Sequence, residues 1–233
     1  MSKLTKICSV LIPAIFLLAA CKKENITEPS LNVQSLRGVI STPFKMNSKT
    51  WYRISPTMPA PVPGMPGQLS FANVPGGGAG HASHMGTIGT WFNQLAYSPD
   101  GQNPPAGTIA APLVSAVSYP VLFPGAPLPL IQPNDFAALA TIVSWLQVPA
   151  TVNGHTVWSI LYNGKGDALF LSTTTASTAV AESPTRINFG GEGIFVGGRG
   201  RFENASGTYH FSGFFNPQDA NEAGYSIDGT LTY

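Results

Sequence analysis

The chain has 233 residues, enough for one domain with a sizeable core or two small ones once a removable N-terminal segment is set aside. Charged residues are only 10% of it, against about 25% in an ordinary soluble domain, while Gly (25) and Pro (21) are abundant; this mix suits short strands joined by turns and argues against a helical bundle. The formal net charge is +1, with no basic patch and no acidic tail, which leaves nothing to recommend a nucleic acid or polyelectrolyte partner.

Residues 1–20 read as a signal peptide. Lys3 and Lys6 precede the apolar run Ile7–Ala20, which is too short, and at Pro13 too soon broken, for a membrane-spanning helix. The run ends in Leu17-Leu18-Ala19-Ala20-Cys21, which resembles the bacterial lipobox, where the Cys thiol is joined to diacylglycerol. The small Ala19 and Ala20 suit the narrow peptidase site. Cys21 is therefore the expected lipidation site. With Cys8 lost in the signal peptide and Cys21 acylated, no thiol is left for a disulfide, a metal or a nucleophile. The next residues, Lys22-Lys23-Glu24, lack the Asp that retains lipoproteins at the inner membrane and resemble the surface-export signal of Bacteroidetes lipoproteins. These features imply a cell-envelope protein held by its lipid, at the outer membrane, with the leaflet open. Residues 21–35 are polar, lack periodicity and read as a tether, leaving 36–233 as a single domain.

Within that domain, Ser35–Thr42 and Trp51–Ser55 read as strands. Five prolines from Pro56 to Pro66 exclude a central strand and predict a loop of polyproline character. Gly76–Gly78 predict a turn at the start of a strand–bend–strand unit, and Ser98-Pro99-Asp100-Gly101 predicts another. From about 100 to 150 lies an apolar insertion cut by prolines at 112, 120, 124, 127, 129 and 133, unfit to span a membrane and expected to fold over the domain or its mouth. Inside it, Pro133–Val148 has helical spacing behind an Asn134/Asp135 cap candidate. After residue 151 the pattern is strand and turn alone, with a hairpin across Asn163-Gly164-Lys165-Gly166-Asp167.

Glycines at 197, 198, 200 and 207 suit sharp strand bends, which closing a sheet into a barrel requires. Alternation then places Tyr209 and Phe211 on one face of a strand and Trp158, Ile160 and Tyr162 on one face of another, so these five are the candidate barrel interior.

Gly197-Gly198-Arg199-Gly200-Arg201-Phe202, followed by Ala205 and Gly207, resembles the Gly-Gly-Thr-Gly-x-Phe-x-x-Ala-x-Gly signature of dirigent proteins, shared by bacterial proteins with the allene oxide cyclase-like barrel. Arg199 replaces the usual Thr. Gly80–Gly86, Gly166–Phe170 and Gly229–Tyr233 also resemble strands of the bacterial members, while 100–150 departs from them. The resemblance implies an all-β fold, an antiparallel barrel of about eight strands with a largely apolar interior, carrying the Pro-rich apolar insertion and one short helix. It carries over no catalytic residue, because the matching positions are scaffold positions.

His81 and His84 would point to opposite faces of a strand and could not share a metal without a bend, so neither a metal nor a cofactor is expected. His84, Arg199 and Arg201 are the candidate polar groups at the barrel rim. Asp167, Glu192, Glu203 and Asp228 are candidates for a glycosidase-type carboxylate pair but read better as turn and rim residues. Three readings of function stay open: a lipid-anchored barrel binding a hydrophobic small molecule or an envelope partner, a cyclase- or isomerase-like enzyme using the barrel interior, and a purely structural envelope lipoprotein. The volume and lining of the interior decide among them. Nothing in the sequence fixes an oligomeric state.

Overall fold

Alternating apolar and polar side chains, punctuated by glycine, give strands almost throughout, and the sheet they form closes on itself. The computed structural model describes residues 41–123 and 132–233. The signal peptide, Cys21, the tether and the Ser35–Ile40 part of the first expected strand lie outside the described residues. Numbered in chain order, β1 (Ser41–Tyr52), β4 (Gly76–Ala82), β5 (Gly86–Phe92), β10 (Ser159–Tyr162), β11 (Ala168–Thr173), β13 (Arg186–Arg199), β14 (Ser206–Asn216) and β15 (Asp219–Thr232) form a closed antiparallel barrel of eight strands. The neighbour order is β11-β10-β5-β4-β1-β15-β14-β13, and β13 pairs back onto β11.

The barrel opens at one end into an annex. β13 is longer than closure requires: Gly193–Arg199 pairs with β11, while its N-terminal half pairs with β12 (Ser177–Ser183). From β12 the sheet continues through β7 (Gly107–Ala110), β6 (Gln94–Ser98), β3 (Leu69–Asn73) and β2 (Ser55–Pro61), while β8 (Thr151–Val152) and β9 (His155–Thr156) pair with each other apart from it. Three chain segments run between barrel and annex almost without interruption, through Arg53-Ile54, Val74-Pro75 and Asn93. Two expectations change here. Gly76–Gly78 lie inside β4 rather than in a turn, and Pro56, Pro59 and Pro61 belong to a strand. β2 pairs with β3 alone, so the prolines sit on an outermost strand, the one place in a sheet where missing N–H donors are tolerated.

The described residues of the insertion pack outside the barrel and do not plug it. Once β7 has joined the annex, the chain forms a 3-10 turn (Leu113–Ser118) and two helices, α1 (Tyr119–Leu122) and α2 (Pro133–Leu146), packed on the outer wall. Phe136, Leu139 and Leu146 of α2 share a buried cluster with Ile160, Phe170 and Val196, which project outward from the strands. Pro133 takes the first helical position, where its fixed φ suits the start of a helix, and Gln132 is the flanking residue. Asp135 does not cap the helix. It lies in the first turn, with one carboxylate oxygen 2.9 Å from the buried Arg53 Nε, outside the alignment of a hydrogen bond. Arg53 also covers the Trp51 ring at 4.6 Å, so one cation fastens the helix to the barrel mouth. The fully buried Asn93 does the same for the 3-10 turn: its side-chain amide nitrogen lies 2.9 Å from the Pro112 carbonyl oxygen and 2.8 Å from the Tyr119 hydroxyl.

At the other end the barrel is sealed by the glycine-rich segment. After β13 a single 3-10 turn (Gly200–Phe202) drives Phe202, wholly buried, into the barrel base, where its ring lies 4.9 Å from that of Tyr233. Gly207, at the start of β14, holds φ at +136°, and a Cβ there would stand 2.0 Å from the Thr230 carbonyl oxygen on β15. Gly207→Val is therefore expected to lower stability by about 1–3 kcal/mol through backbone strain alone, with the clash adding to it. Gly164→Ala, at an open site in the β10–β11 turn, is expected to stay within about 0.5 kcal/mol of the parent. Chemical denaturation of the three proteins compares them directly, and equal midpoints would show that the sealed end does not constrain the chain.

Candidate functional site

Eight strands enclose a space that side chains nearly fill, and here they fill it unevenly. The lower and middle barrel is solid: Phe44, Met46, Leu171, Phe195 and Tyr209 are buried together. Trp158 and Phe211 lie in the same interior cluster. Ile160 and Tyr162 do not. Trp158 and Ser159 are adjacent in sequence, yet the first packs in the interior and the second reaches the interior Tyr225 hydroxyl with its own. This irregularity just before β10 shifts the alternation by one residue, so Leu161 turns in while Ile160 and Tyr162 turn out onto the helix-covered wall.

Above this floor, between the barrel mouth and the annex, lies a cavity of about 530 Å³, within the range of small-molecule sites. Its floor is aromatic, made of Phe92, Trp158 and Tyr225. Phe71, Ala72 and Val74 line it from the β3 side, Ala179 and Ala181 from β12, and Phe189 and Phe215 from the barrel strands β13 and β14. Small residues on the annex leave the volume that large residues remove from the barrel below.

One polar cluster interrupts the apolar wall. Thr108 of β7 faces Ser177 of β12 in register, with their hydroxyl oxygens 2.6 Å apart, and the Thr108 hydroxyl also bonds the side-chain amide of Gln94 on β6. All three line the cavity. Sequence reasoning missed them. A Ser, a Thr and a Gln in three separate short strands carry no motif, and only the pairing of β12 onto β7, 69 residues apart at this contact, brings them together.

The two phenol hydroxyls at the cavity are spent on the fold. The Tyr52 hydroxyl donates to the Asn216 carbonyl oxygen at 2.7 Å, and the Tyr225 hydroxyl lies 2.6 Å from Thr90 Oγ1. Deeper down, the Tyr209 hydroxyl accepts from Trp158 Nε1 at 3.3 Å and donates to the Ser172 carbonyl oxygen at 2.9 Å. Burial pushes all three phenols up, Tyr52 to about 12, with the nearby Asp219 carboxylate adding to its shift.

The expected rim groups sit at the sealed end, away from the cavity. His84, in the β4–β5 turn with φ at +65°, places Nε2 3.0 Å from the Pro43 carbonyl oxygen and 2.6 Å from Thr42 Oγ1. Arg201 donates to the His84 carbonyl oxygen and pairs with Asp167 at 3.3 Å, so the two residues clasp that end together. Arg199 ends β13 beside them. The candidate carboxylates lie away from the cavity as well: Glu192 and Asp228 flank His210 in register on the exposed outer face, Glu192 at 3.4 Å from His210 and Asp228 at 3.3 Å from Lys45. Among the described residues, no three His, Cys, Asp or Glu side chains gather as metal ligands would, and no helix is long and apolar enough to cross a membrane. Comparison with protein-family models, curated proteins and solved structures gives no match for this chain.

The buried phenols make stability depend on alkaline pH in a definite direction. Tyrosine in an unfolded chain ionises near pH 10, whereas folding keeps Tyr52, Tyr209 and Tyr225 protonated above that. From about pH 10 to 12 the unfolded state therefore binds fewer protons than the folded one, and stability falls as pH rises. The melting temperature is expected to drop through this window, and Tyr52→Phe to flatten the drop. A melting temperature constant to pH 12 would contradict the assignment.

Proposed function

We propose that this protein is a lipid-anchored barrel of the cell envelope that binds a hydrophobic small molecule in the cavity at its open end. The observation that carries the reading is the cavity itself. A barrel built only as a scaffold gains by filling its mouth, yet here the annex sets small side chains opposite an aromatic floor and leaves about 530 Å³ unfilled. The enzymatic alternative draws less support. The titratable side chains among the cavity-lining residues are Tyr52 and Tyr225, and both hydroxyls already hold hydrogen bonds within the fold. Membership of the allene oxide cyclase-like or dirigent-like barrels is part of the same proposal. It rests on the Gly197–Gly207 motif and agrees with an antiparallel barrel of eight strands.

Anchoring rests on Leu17–Cys21. Two or three acyl chains on Cys21, at about 0.8 kcal/mol per buried CH₂, amount to permanent attachment to the outer membrane. Ser41 begins β1 at the sealed end, and the cavity opens at the opposite end.

Both halves of the proposal are measurable. Cells fed a clickable fatty acid are expected to label the wild-type protein and not Cys21→Ala; label retained by the variant would remove the anchor. For binding, residues 22–233 are titrated with a neutral fluorescent hydrophobic probe while Trp emission is followed. Saturable quenching is expected in the wild type, and its loss in Ala179→Phe, which fills the cavity from the annex side without adding a fluorophore that absorbs with tryptophan. An unchanged response in that variant would place binding elsewhere.

A further inference from the structure

We infer that the cavity selects an uncharged lipophile carrying a single hydrogen-bonding head, an alcohol or a carbonyl, and discriminates against carboxylates of the same chain length. The inference rests on the binding reading above and specifies its ligand. Two observations carry it. First, the cavity lining includes no Lys, Arg, His, Asp or Glu side chain. A carboxylate held there would be a desolvated charge without a counter-ion, the costliest group to bury. The surroundings worsen this. Asp219 and Glu222 lie at the start of β15, just after Pro217 of the cavity lining, and Asp219 is close enough to Tyr52 to disfavour its phenolate. Arg53, the nearest buried cation, is occupied by Asp135.

Second, the polar cluster has capacity to spare. The Gln94 side-chain amide bonds Thr108 through one end only, and its other end has no protein partner among the described residues. Whichever way the amide is turned, one end remains for a ligand: the NH₂ for a carbonyl or hydroxyl oxygen, or the oxygen for a hydroxyl proton. The cluster sits in an otherwise apolar wall, so it fixes the head of the ligand while Phe71, Phe189 and Trp158 surround the tail. A neutral head is matched by this arrangement; a charged one is not.

The test uses residues 22–233 at pH 8, with Trp emission as readout and decan-1-ol and decanoate as probes, each below its aggregation threshold. Decan-1-ol is expected to bind saturably and decanoate on the order of a hundredfold more weakly. Thr108→Val and Gln94→Met, checked by near-ultraviolet circular dichroism, are expected to weaken decan-1-ol about tenfold, the worth of a lost hydrogen bond. If one variant fails to fold, the other and the wild-type comparison decide the matter. Decanoate binding as tightly as decan-1-ol, or both folded variants binding decan-1-ol like the wild type, would overturn the inference while leaving the binding reading intact. Saturable binding of neither probe, nor of the neutral fluorescent probe, would take away that reading as well.

Discussion

A barrel of eight strands has little room inside, and this one places aromatic rings there that would not fit beside ordinary neighbours. The conflict is resolved across strands. Tyr209 is paired with Gly193, and its ring lies where a Gly193 side chain would start, with the nearest ring atom 2.2 Å from that position. Phe211 stands likewise over Gly191, Phe92 over Gly76, and Phe189 over Gly213. Each ring uses the space its partner lacks, which lets a narrow barrel hold a dense aromatic core while the rings still touch one another at centroid distances of 5.1 to 6.4 Å. The same device works on the outer wall, where Tyr162 covers Gly89 and meets Trp145 of α2.

This filling is why the cavity lies where it does. Strands locked by ring-on-glycine pairs cannot spread, so volume appears only where the chain leaves the barrel. At Asn93 the β5 strand passes into the annex, and with it the inward residues change from Ile88 and Phe92 to Gln94 and Ala96. Asn93 itself is wholly buried and bonded to the insertion, and the insertion in turn supports the strand at its point of departure. The floor, the annex and the outer helices thus depend on one another through a few residues at the mouth.

Much of this was legible in the residues. Glycine spacing and alternation suit a sheet that closes on itself, the resemblance implies antiparallel pairing and about eight strands, the Pro133–Val148 pattern predicts a helix, and the turn at Asn163–Asp167 stands between the strands that flank it. What escaped was non-local. Alternation was extrapolated through Trp158, but the irregularity beside Ser159 depends on how Asn93 and Leu171 hold the backbone there, through the Asn93 amide on the Trp158 carbonyl and the Trp158 amide on the Leu171 carbonyl. His84, Arg199 and Arg201 lie at the sealed end. The cavity instead uses neutral groups, Gln94, Thr108 and Ser177, whose meeting depends on a sheet register that no local pattern encodes.

The prolines of β2 have a meaning beyond their exclusion from the sheet interior. A closed barrel offers neighbours no unpaired strand, but the annex ends in one, β2, with Met58 standing 89% exposed on it. An open edge with apolar side chains is a template on which a second copy can dock and extend the sheet. Pro56, Pro59 and Pro61 withhold the amide protons such docking requires and fix the backbone in a geometry a new strand matches poorly. This edge therefore carries its own protection against templated aggregation.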